Sequence, residues 1–258
     1  MGADCAEFLL RTKLCRGVTL TNGERVRERA MKIADVFFSI QGEGCLSGVP
    51  SAFVRSTGCP LRCVWCDSEY TSWHPRGENW TVEQILSRLS DFPTRHVVVT
   101  GGEPMIASHI EELCAGLRAR DYHITIETAA VVFKEVACDL VSMSPKLSNS
   151  TPHRREGGRW AERHDRQRLR FEVIQAFMDR CDYQLKFVVE RPEDLEEVHS
   201  AIDRLRGVDP TRILLMPQGI RRDDLDARGA WLVEVCKQHG FRYCPRLHIE
   251  LYGNRRGV

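Results

Sequence analysis

The chain has 258 residues, of which 42% are hydrophobic, an ordinary composition for a globular protein with a sizeable core. Its formal net charge of +1 gives no general electrostatic reason to expect a nucleic-acid or membrane partner. No apolar stretch approaches the ~18 residues that a membrane-spanning helix requires. The length fits one α/β barrel domain of ~250 residues, or two smaller domains.

Residues 1–30 are predicted to be a disordered leader or the product of a mis-assigned start codon. Arg and Glu are mixed there with little periodicity, and a second methionine, Met31, precedes the first clear strand. The segment lacks the apolar core of a secretory signal peptide, and its acidic residues make a transit peptide the weaker alternative. Residues 31–258 are predicted to form a single domain.

From Met31 onward, short apolar runs alternate with helical patterns and predict an α/β fold. The runs are rich in Val, Ile and Phe and mostly lack strict alternation, which is typical of strands covered on both faces. The predicted strands are residues 35–40, 52–56, 96–100, 123–128, 140–143, 184–189, 212–216 and 241–244. Alternating strands and helices predict a parallel sheet with right-handed crossovers. The strand count favours a partial or full TIM-type barrel over a six-stranded open sheet.

Several predicted helices carry recognisable start signals. Thr81 with Gln84 fits a capping box, and so does Ser108 with Glu111. Pro192 stands where a proline of a first helical turn is expected.

One polar, basic segment, residues 148–170, interrupts this alternation. It contains seven arginines, which allow an RNA-binding interpretation. The acidic residues Glu156, Glu162 and Asp165 are interleaved with them, and charge runs of this kind usually form a solvated face. The sequence therefore favours a solvated insertion that leads into a helix near Leu169.

The strongest chemical signal is the trio Cys59, Cys63 and Cys66, spaced as CxxxCxxC directly after the predicted strand 52–56. In barrels this end of a strand carries the chemistry. Iron–sulfur clusters are held by cysteine thiolates, typically four of them, and a fourth local cysteine is missing here. An iron without a protein ligand is an open coordination site. The odd total of 11 cysteines, without a secretory signal, indicates a reducing compartment and therefore a cytoplasmic protein.

A structural zinc site is the competing interpretation of these cysteines. Structural zinc takes four protein ligands, usually as two pairs, and no second CxxC pair exists in the chain. The remaining cysteines are scattered singly, and buried single cysteines are usually inert small hydrophobes. The spacing favours an iron–sulfur cluster.

A second element strengthens this interpretation. Thr100-Gly101-Gly102-Glu103-Pro104 follows the predicted strand 96–100. Glycines expose backbone to a close ligand, and a carboxylate can pair with an ammonium group. CxxxCxxC followed by GGEP resembles the radical S-adenosylmethionine superfamily, which implies a 4Fe–4S cluster and S-adenosylmethionine as cofactors. The predicted fold then becomes the partial or modified barrel of that superfamily.

Further motifs across residues 31–258 resemble one family of that superfamily, the 7-carboxy-7-deazaguanine synthases. They are Ile40-Gln41-Gly42-Glu43-Gly44, Phe53-Val54-Arg55, Cys66-Asp67-Ser68, Glu127-Thr128, Ser144-Pro145-Lys146, Met216-Pro217-Gln218, Pro245-Arg246-Leu247-His248 and the terminal residues 253–258. Ala129-Ala130 departs from the Ser-Gly that is common in the family and lacks its hydroxyl group.

The resemblance implies a role for each matching position. Cys59, Cys63 and Cys66 would hold the cluster, and Ser68 would bind Mg²⁺ in place of a threonine that is common in the family. The residues implied to bind S-adenosylmethionine are Trp65, Asp67, Gly102, Glu103, Ser144, Pro145, Lys146 and Gln218. Those implied to bind the substrate are Ile40, Gln41, Gly42, Glu43, Arg55, Thr100, His248 and the carboxylate of Val258.

The implied activity is that of a lyase. Radical chemistry would contract the ring of 6-carboxy-5,6,7,8-tetrahydropterin to 7-carboxy-7-deazaguanine and release ammonia, as in queuosine-type 7-deazapurine biosynthesis. The implied partners are a flavodoxin or ferredoxin electron donor and a second copy of the chain in a homodimer. Two alternatives stay open at this point: a glycyl-radical-enzyme activase and a non-catalytic metal-binding interaction module.

Overall fold

The structure is a computed structural model that describes residues 30–258. The predicted leader lies outside the described residues, except for Ala30, which begins the first strand. The predictions for the leader and for a single domain over residues 31–258 therefore stay predictions. Within the described range, no helix has both the length and the apolar character needed to cross a membrane.

The described residues form one nine-stranded sheet with the order β3-β1-β2-β4-β5-β6-β7-β8-β9. The strands are β1 Ala30–Ile40, β2 Pro50–Ser56, β3 Glu78–Thr81, β4 His96–Gly101, β5 His123–Thr128, β6 Leu140–Met143, β7 Tyr183–Val189, β8 Ile213–Pro217 and β9 Arg242–Tyr243. From β2 to β9 every neighbouring pair is parallel. The sheet is open, with β3 and β9 at its edges, which confirms an α/β fold and a partial barrel.

Helices connect most of the parallel strands. They are α1 Val82–Ser90, α2 Ile110–Arg118, α3 Ala161–Gln167, α4 Phe171–Met178, α5 Asp194–Asp203, α6 Arg222–His239 and α7 Leu247–Tyr252. Residues 148–170, between β6 and β7, contain two short 3-10 turns and α3.

The prediction of an entirely parallel sheet is wrong at one edge. β1 is antiparallel to both β2 and β3. Residues 41–49 join β1 to β2, and so short a connection can close an antiparallel pair but not a parallel one. The polar strand β3 was not predicted, because its pairing with β1 is a long-range contact that no local apolar run announces.

The helix starts agree only in part with their predicted signals. Thr81 and Gln84 form the predicted capping box at the start of α1. The box predicted at Ser108 is wrong, because α2 begins at Ile110 after His109, which adopts a left-handed conformation with φ 57°. Pro192 lies before the first turn of α5 rather than within it.

The two faces of the sheet have opposite character. Apolar side chains of the outer face pack in one core under the helices, among them Val97 and Val99 of β4 and Leu185 and Phe187 of β7. The alternate positions of the same strands face the interior of the barrel. There the side chains are largely polar or charged: Arg55, Thr100, Glu127, Ser142 and Lys186. Thr100, Ser142 and Lys186 are nevertheless buried, so these strands are covered on both faces as predicted, although their inner face is polar.

Candidate active site

The inner face of the sheet encloses a cavity of about 340 Å³. The loop that carries the three predicted cluster cysteines forms one wall, and we call residues 59–66 the cluster loop. The turn at Gln41, Gly42 and Glu43 forms another wall, and residues 254–258 complete the lining. The cavity thus joins motifs that lie up to about two hundred residues apart in the chain.

The cluster loop presents Cys59, Cys63 and Cys66 to the cavity as free thiols. The thiols pack with apolar side chains, including Leu61 and Val131. Burial raises the pKa of Cys63 to about 12, and the neighbouring Cys66 adds to the effect. Three thiols on one irregular loop in apolar surroundings match the donor set of an iron–sulfur cluster, so these residues fit that cofactor.

These thiols are not grouped around a single point. Among residues 30–258, no three Cys, His, Asp or Glu side chains are placed as ligands of one metal ion. A 4Fe–4S cluster does not require such convergence, because each thiolate binds a different iron.

The Gly101-Gly102 turn brings backbone close to the cluster loop. A Cβ atom at Gly102 would lie 2.2 Å from the carbonyl oxygen of Gly58, so no larger residue fits there. Gly102 lines the cavity, and its predicted contact with S-adenosylmethionine stays a prediction.

Glu103 is placed differently from its neighbour Gly102. Its side chain is fully buried and does not line the cavity. Its carboxylate accepts hydrogen bonds from Thr128 Oγ1 at 2.6 Å, Ala129 N at 2.9 Å and Met105 N at 3.1 Å. In this structure Glu103 joins β4 to the loop after β5, and its predicted contact with S-adenosylmethionine stays a prediction.

Four charged side chains form a second wall, which we call the charge ring: Glu43, Asp67, Lys186 and Arg246. Lys186 Nζ donates to Glu43, and Arg246 Nε donates to Glu43 Oε1 at 3.0 Å. Arg246 also donates to Asp67 and, at 2.6 Å, to the carbonyl oxygen of Gly219. Two carboxylates thus balance two cations, and this balance allows Glu43, Lys186 and Arg246 to be largely buried, whereas the Asp67 side chain is 41% exposed.

This balance controls the ionisation of the ring. Burial alone would raise the pKa of Glu43, but Lys186 and Arg246 outweigh it and hold that pKa well below its usual range. Burial lowers the pKa of the adjacent His248, so its imidazole is neutral near pH 7. A Cβ at Gly42 would lie 2.0 Å from His248 Nδ1, so the glycine permits this close approach.

Arg55 and the chain end meet at Asp35. Arg55 Nε lies 3.8 Å from Asp35 Oδ2, and both atoms are buried without a hydrogen-bond partner among the described residues. Arg256 Nε donates to Asp35 Oδ1 at 2.8 Å, and its guanidinium lies 4.2 Å from the Tyr70 ring centroid. The ion pair between Arg256 and Asp35 attaches the terminal residues 254–258 to β1. Val258 lines the cavity.

The remaining predicted cofactor residues surround the cluster loop. Lys146 Nζ donates to Ser144 Oγ at 2.8 Å and lies 5.7 Å from the Trp65 ring. Gln218 lines the same cavity, whereas Pro145 does not. Ser68 Oγ donates to Asp67 Oδ1 at 3.3 Å.

Comparisons with known proteins agree with this site. The Radical SAM superfamily model matches residues 53–227. The 7-carboxy-7-deazaguanine synthase of Halobacterium salinarum is 41% identical over 235 residues, covering 87% of this chain and 91% of the relative. That of Rhodopirellula baltica is also 41% identical, with 91% of each chain covered. The chain belongs to the 7-carboxy-7-deazaguanine synthases of the radical SAM superfamily.

The fold agrees with that assignment. The crystal structure of QueE from Escherichia coli superimposes with a TM-score of 0.64 at 24% identity, covering 88% of this chain and 99% of that one. Membership in the family implies an enzyme that uses a 4Fe–4S cluster and S-adenosylmethionine, acts on a small molecule and needs a reductant. The relatives favour this interpretation over an activase or a non-catalytic module.

The structure brings together most of the predicted site residues. All of them line the cavity except Glu103 and Pro145. Sequence reasoning missed the roles of Lys186, Glu127 and Arg246. Glu127 accepts a hydrogen bond from Gln41 Nε2 at 2.9 Å. A signal was present for Lys186, because Gln184 and Lys186 are two residues apart in an otherwise apolar strand and therefore share its inner face.

Proposed function

We propose that the chain converts 6-carboxy-5,6,7,8-tetrahydropterin to 7-carboxy-7-deazaguanine with release of ammonia, and so acts as a lyase in 7-deazapurine biosynthesis. The observation that carries the proposal is a single cavity with three free thiols at one wall and, at another, the buried Nε of Arg55, which has no hydrogen-bond partner among the described residues. The names of relatives at 41% identity support the same reaction.

Cys59, Cys63 and Cys66 would hold the cluster, which together with S-adenosylmethionine would supply radical chemistry. The chain's own part is to orient the substrate and to exclude water. The predicted cofactor contacts are Trp65, Asp67, Gly102, Glu103, Ser144, Pro145, Lys146 and Gln218. Ser144, Lys146 and Gln218 are supported by their position on the cavity wall beside the cluster loop.

Arg55 is the proposed anchor of the substrate carboxylate. Its buried Nε has no hydrogen-bond partner among the described residues, and an anionic ligand would supply one. A guanidinium can offer two parallel hydrogen bonds to a carboxylate. Gln41 and Glu127 form a hydrogen-bonded pair that presents further polar groups to a heterocycle.

Four further features belong to this proposal. Ser68 and the substrate carboxylate would hold Mg²⁺, a hard cation that prefers oxygen ligands. A flavodoxin or ferredoxin would supply the electron, the enzyme would be a homodimer, and it would work in the cytoplasm. The first three follow from the resemblance to the family, and the cytoplasmic location follows from the cysteine content.

The decisive experiment is a product assay. The chain is reconstituted anaerobically with iron and sulfide, reduced, and incubated with S-adenosylmethionine and 6-carboxytetrahydropterin. We expect 7-carboxy-7-deazaguanine and ammonia in equal amounts. An intact cluster that cleaves S-adenosylmethionine without forming the deazaguanine would reject the substrate, and a colourless protein that takes up no cluster would reject the whole assignment.

A further inference from the structure

Residues 148–170 lie against the cluster loop, and we call this segment the brace. We propose that the brace holds the cluster loop in its cluster-binding shape before any cluster is present, and that His164 is its central positioning residue. This inference rests on the proposed assignment of the cluster to Cys59, Cys63 and Cys66.

The brace satisfies donors that lie between the cluster cysteines. Arg62 N donates to His164 Nδ1 at 3.0 Å, and Val64 N donates to the carbonyl oxygen of Ser150 at 2.8 Å. Trp65 Nε1 donates to the carbonyl oxygen of Asn149 at 3.0 Å. Both intervals of the CxxxCxxC motif are therefore fastened to the same segment.

The hydrogen bond from Arg62 N determines which tautomer the imidazole of His164 adopts. Because Nδ1 accepts, the proton of the neutral ring is on Nε2, which donates to Ser150 Oγ at 2.9 Å. Ser150 Oγ then donates to the carbonyl oxygen of Leu147 at 2.6 Å. His164 is 1% exposed, and burial lowers its pKa to about 4, so the ring stays neutral near pH 7.

A second contact fastens the loop from its far side. Arg155 donates to both carboxylate oxygens of Glu69, at 2.6 and 2.9 Å, and its guanidinium lies 3.8 Å from the Trp73 ring centroid. Trp73 Nε1 in turn donates to the carbonyl oxygen of Cys63 at 2.9 Å. The brace thus reaches the central cysteine through one aromatic side chain.

The cluster loop has no regular secondary structure of its own between Cys59 and Cys66. Without the brace, the backbone N–H groups of the loop would bond to water and its thiols would adopt many arrangements. A loop fixed before binding loses less conformational entropy when the cofactor enters. The exposed arginines of the brace make it look like a solvated insertion, yet His164 and Ser150 are buried against the loop.

The test compares three variants of the full-length chain. His164→Leu removes the acceptor for Arg62 N, whereas His164→Asn places an amide oxygen near the Nδ1 position. Arg166→Ala is the matched control, because Arg166 is exposed on the same helix and pairs with Glu162 away from the loop.

The first measurement is amide hydrogen exchange of the loop in the cluster-free protein. We expect His164→Leu to speed exchange at residues 59–66 about tenfold, the change that the loss of one buried hydrogen bond brings. His164→Asn should restore most of the protection, and Arg166→Ala should match the wild type. Unchanged loop exchange in a folded His164→Leu variant would overturn the inference.

The second measurement is the rate at which a chelator removes iron from reconstituted protein. Loss should be about tenfold faster in His164→Leu and unchanged in Arg166→Ala. If His164→Leu does not fold, Arg155→Gln takes its place, because it weakens the half-buried contact with Glu69 on the other side of the loop. Iron loss should then also be faster than in the wild type. Equal rates of iron loss in Arg155→Gln and the wild type would contradict the proposed role of the brace. Hydrogen exchange needs neither cluster nor substrate, so failure of the proposed reaction remains distinguishable.

Discussion

The cluster loop and the charge ring line the same cavity, but different interactions hold them. The loop is irregular backbone, and mostly uncharged hydrogen bonds to Asn149, Ser150 and His164 fasten it. The ring is built from side chains of separate elements, and opposite charges hold Glu43 against Lys186 and Arg246.

This difference predicts different responses to mutation. Each hydrogen bond to the loop contributes about 1 kcal/mol and can be lost separately. The members of the ring depend on one another, because removing one partner leaves a buried charge without compensation. A single substitution at one loop contact should therefore lower the free energy of unfolding only slightly, whereas a single substitution in the charge ring should lower it strongly.

The largest effect is expected at the loop's thiols. Cys63→Ala should abolish both cluster uptake and turnover, measured as iron and sulfide content and as deazaguanine product, because a lost ligand cannot be replaced locally. Cys236→Ala is the matched control, since Cys236 is a buried thiol of α6 in the outer core. An active Cys63→Ala enzyme would contradict the ligand assignment.

The next largest effect separates the ring from the loop. Lys186→Met should reduce the free energy of unfolding by about 3–5 kcal/mol, because Glu43 and Asp67 would then share Arg246 as their one cationic partner in the ring. Urea unfolding measures the change. Adding Glu43→Gln to Lys186→Met should recover most of the lost stability, and a single variant as stable as the wild type would show that the ring is not charge-dependent.

Acid should act on the two regions in different pH ranges. The pKa of His164 lies below its ordinary value, so unfolding takes up a proton and stability falls as the pH drops from about 6.5 toward about 4. At pH 5 this loss is about 2 kcal/mol relative to pH 7. The lowered pKa of Glu43 acts only below its ordinary value near 4.5.

Urea unfolding at pH 7 and pH 5 tests this separation. His164→Asn does not titrate, so its stability should fall by about 2 kcal/mol less than that of the wild type over the same interval. Glu234→Gln, which changes a surface ion pair with Lys237, is the control. Equal losses of stability in the wild type and in His164→Asn would show that His164 does not cause the pH dependence.

The smallest effect is expected where the chain end is tied to Arg55. Asp35→Asn weakens the pairing with Arg256 and alters the surroundings of Arg55, so KM for the pterin should rise about fivefold, equivalent to about 1 kcal/mol. Cluster content and kcat should change little. A large fall in kcat with constant KM would indicate that Asp35 acts on the chemical step instead.

Local patterns were enough to predict the strands that matter most. Strands 123–128 and 140–143 agree with the structure at both ends, since each is recognised from its own composition, rich in Ile, Thr, Val or Leu, without reference to a distant partner. The spacing of Cys59, Cys63 and Cys66 is equally local, because one short loop carries all three thiols. Cofactor class and fold class were therefore readable from the chain.

Tertiary structure decided everything that depends on distant partners. The antiparallel direction of β1, the pairing of Lys186 with Glu43 and the hydrogen bond from Arg62 to His164 each join residues that are far apart in the chain. The sequence of residues 148–170 indicates a solvated segment. Only the folded structure shows that His164 is buried and accepts a hydrogen bond from Arg62 N. Local patterns report a residue's own preference, whereas burial and charge compensation depend on the neighbours that folding provides.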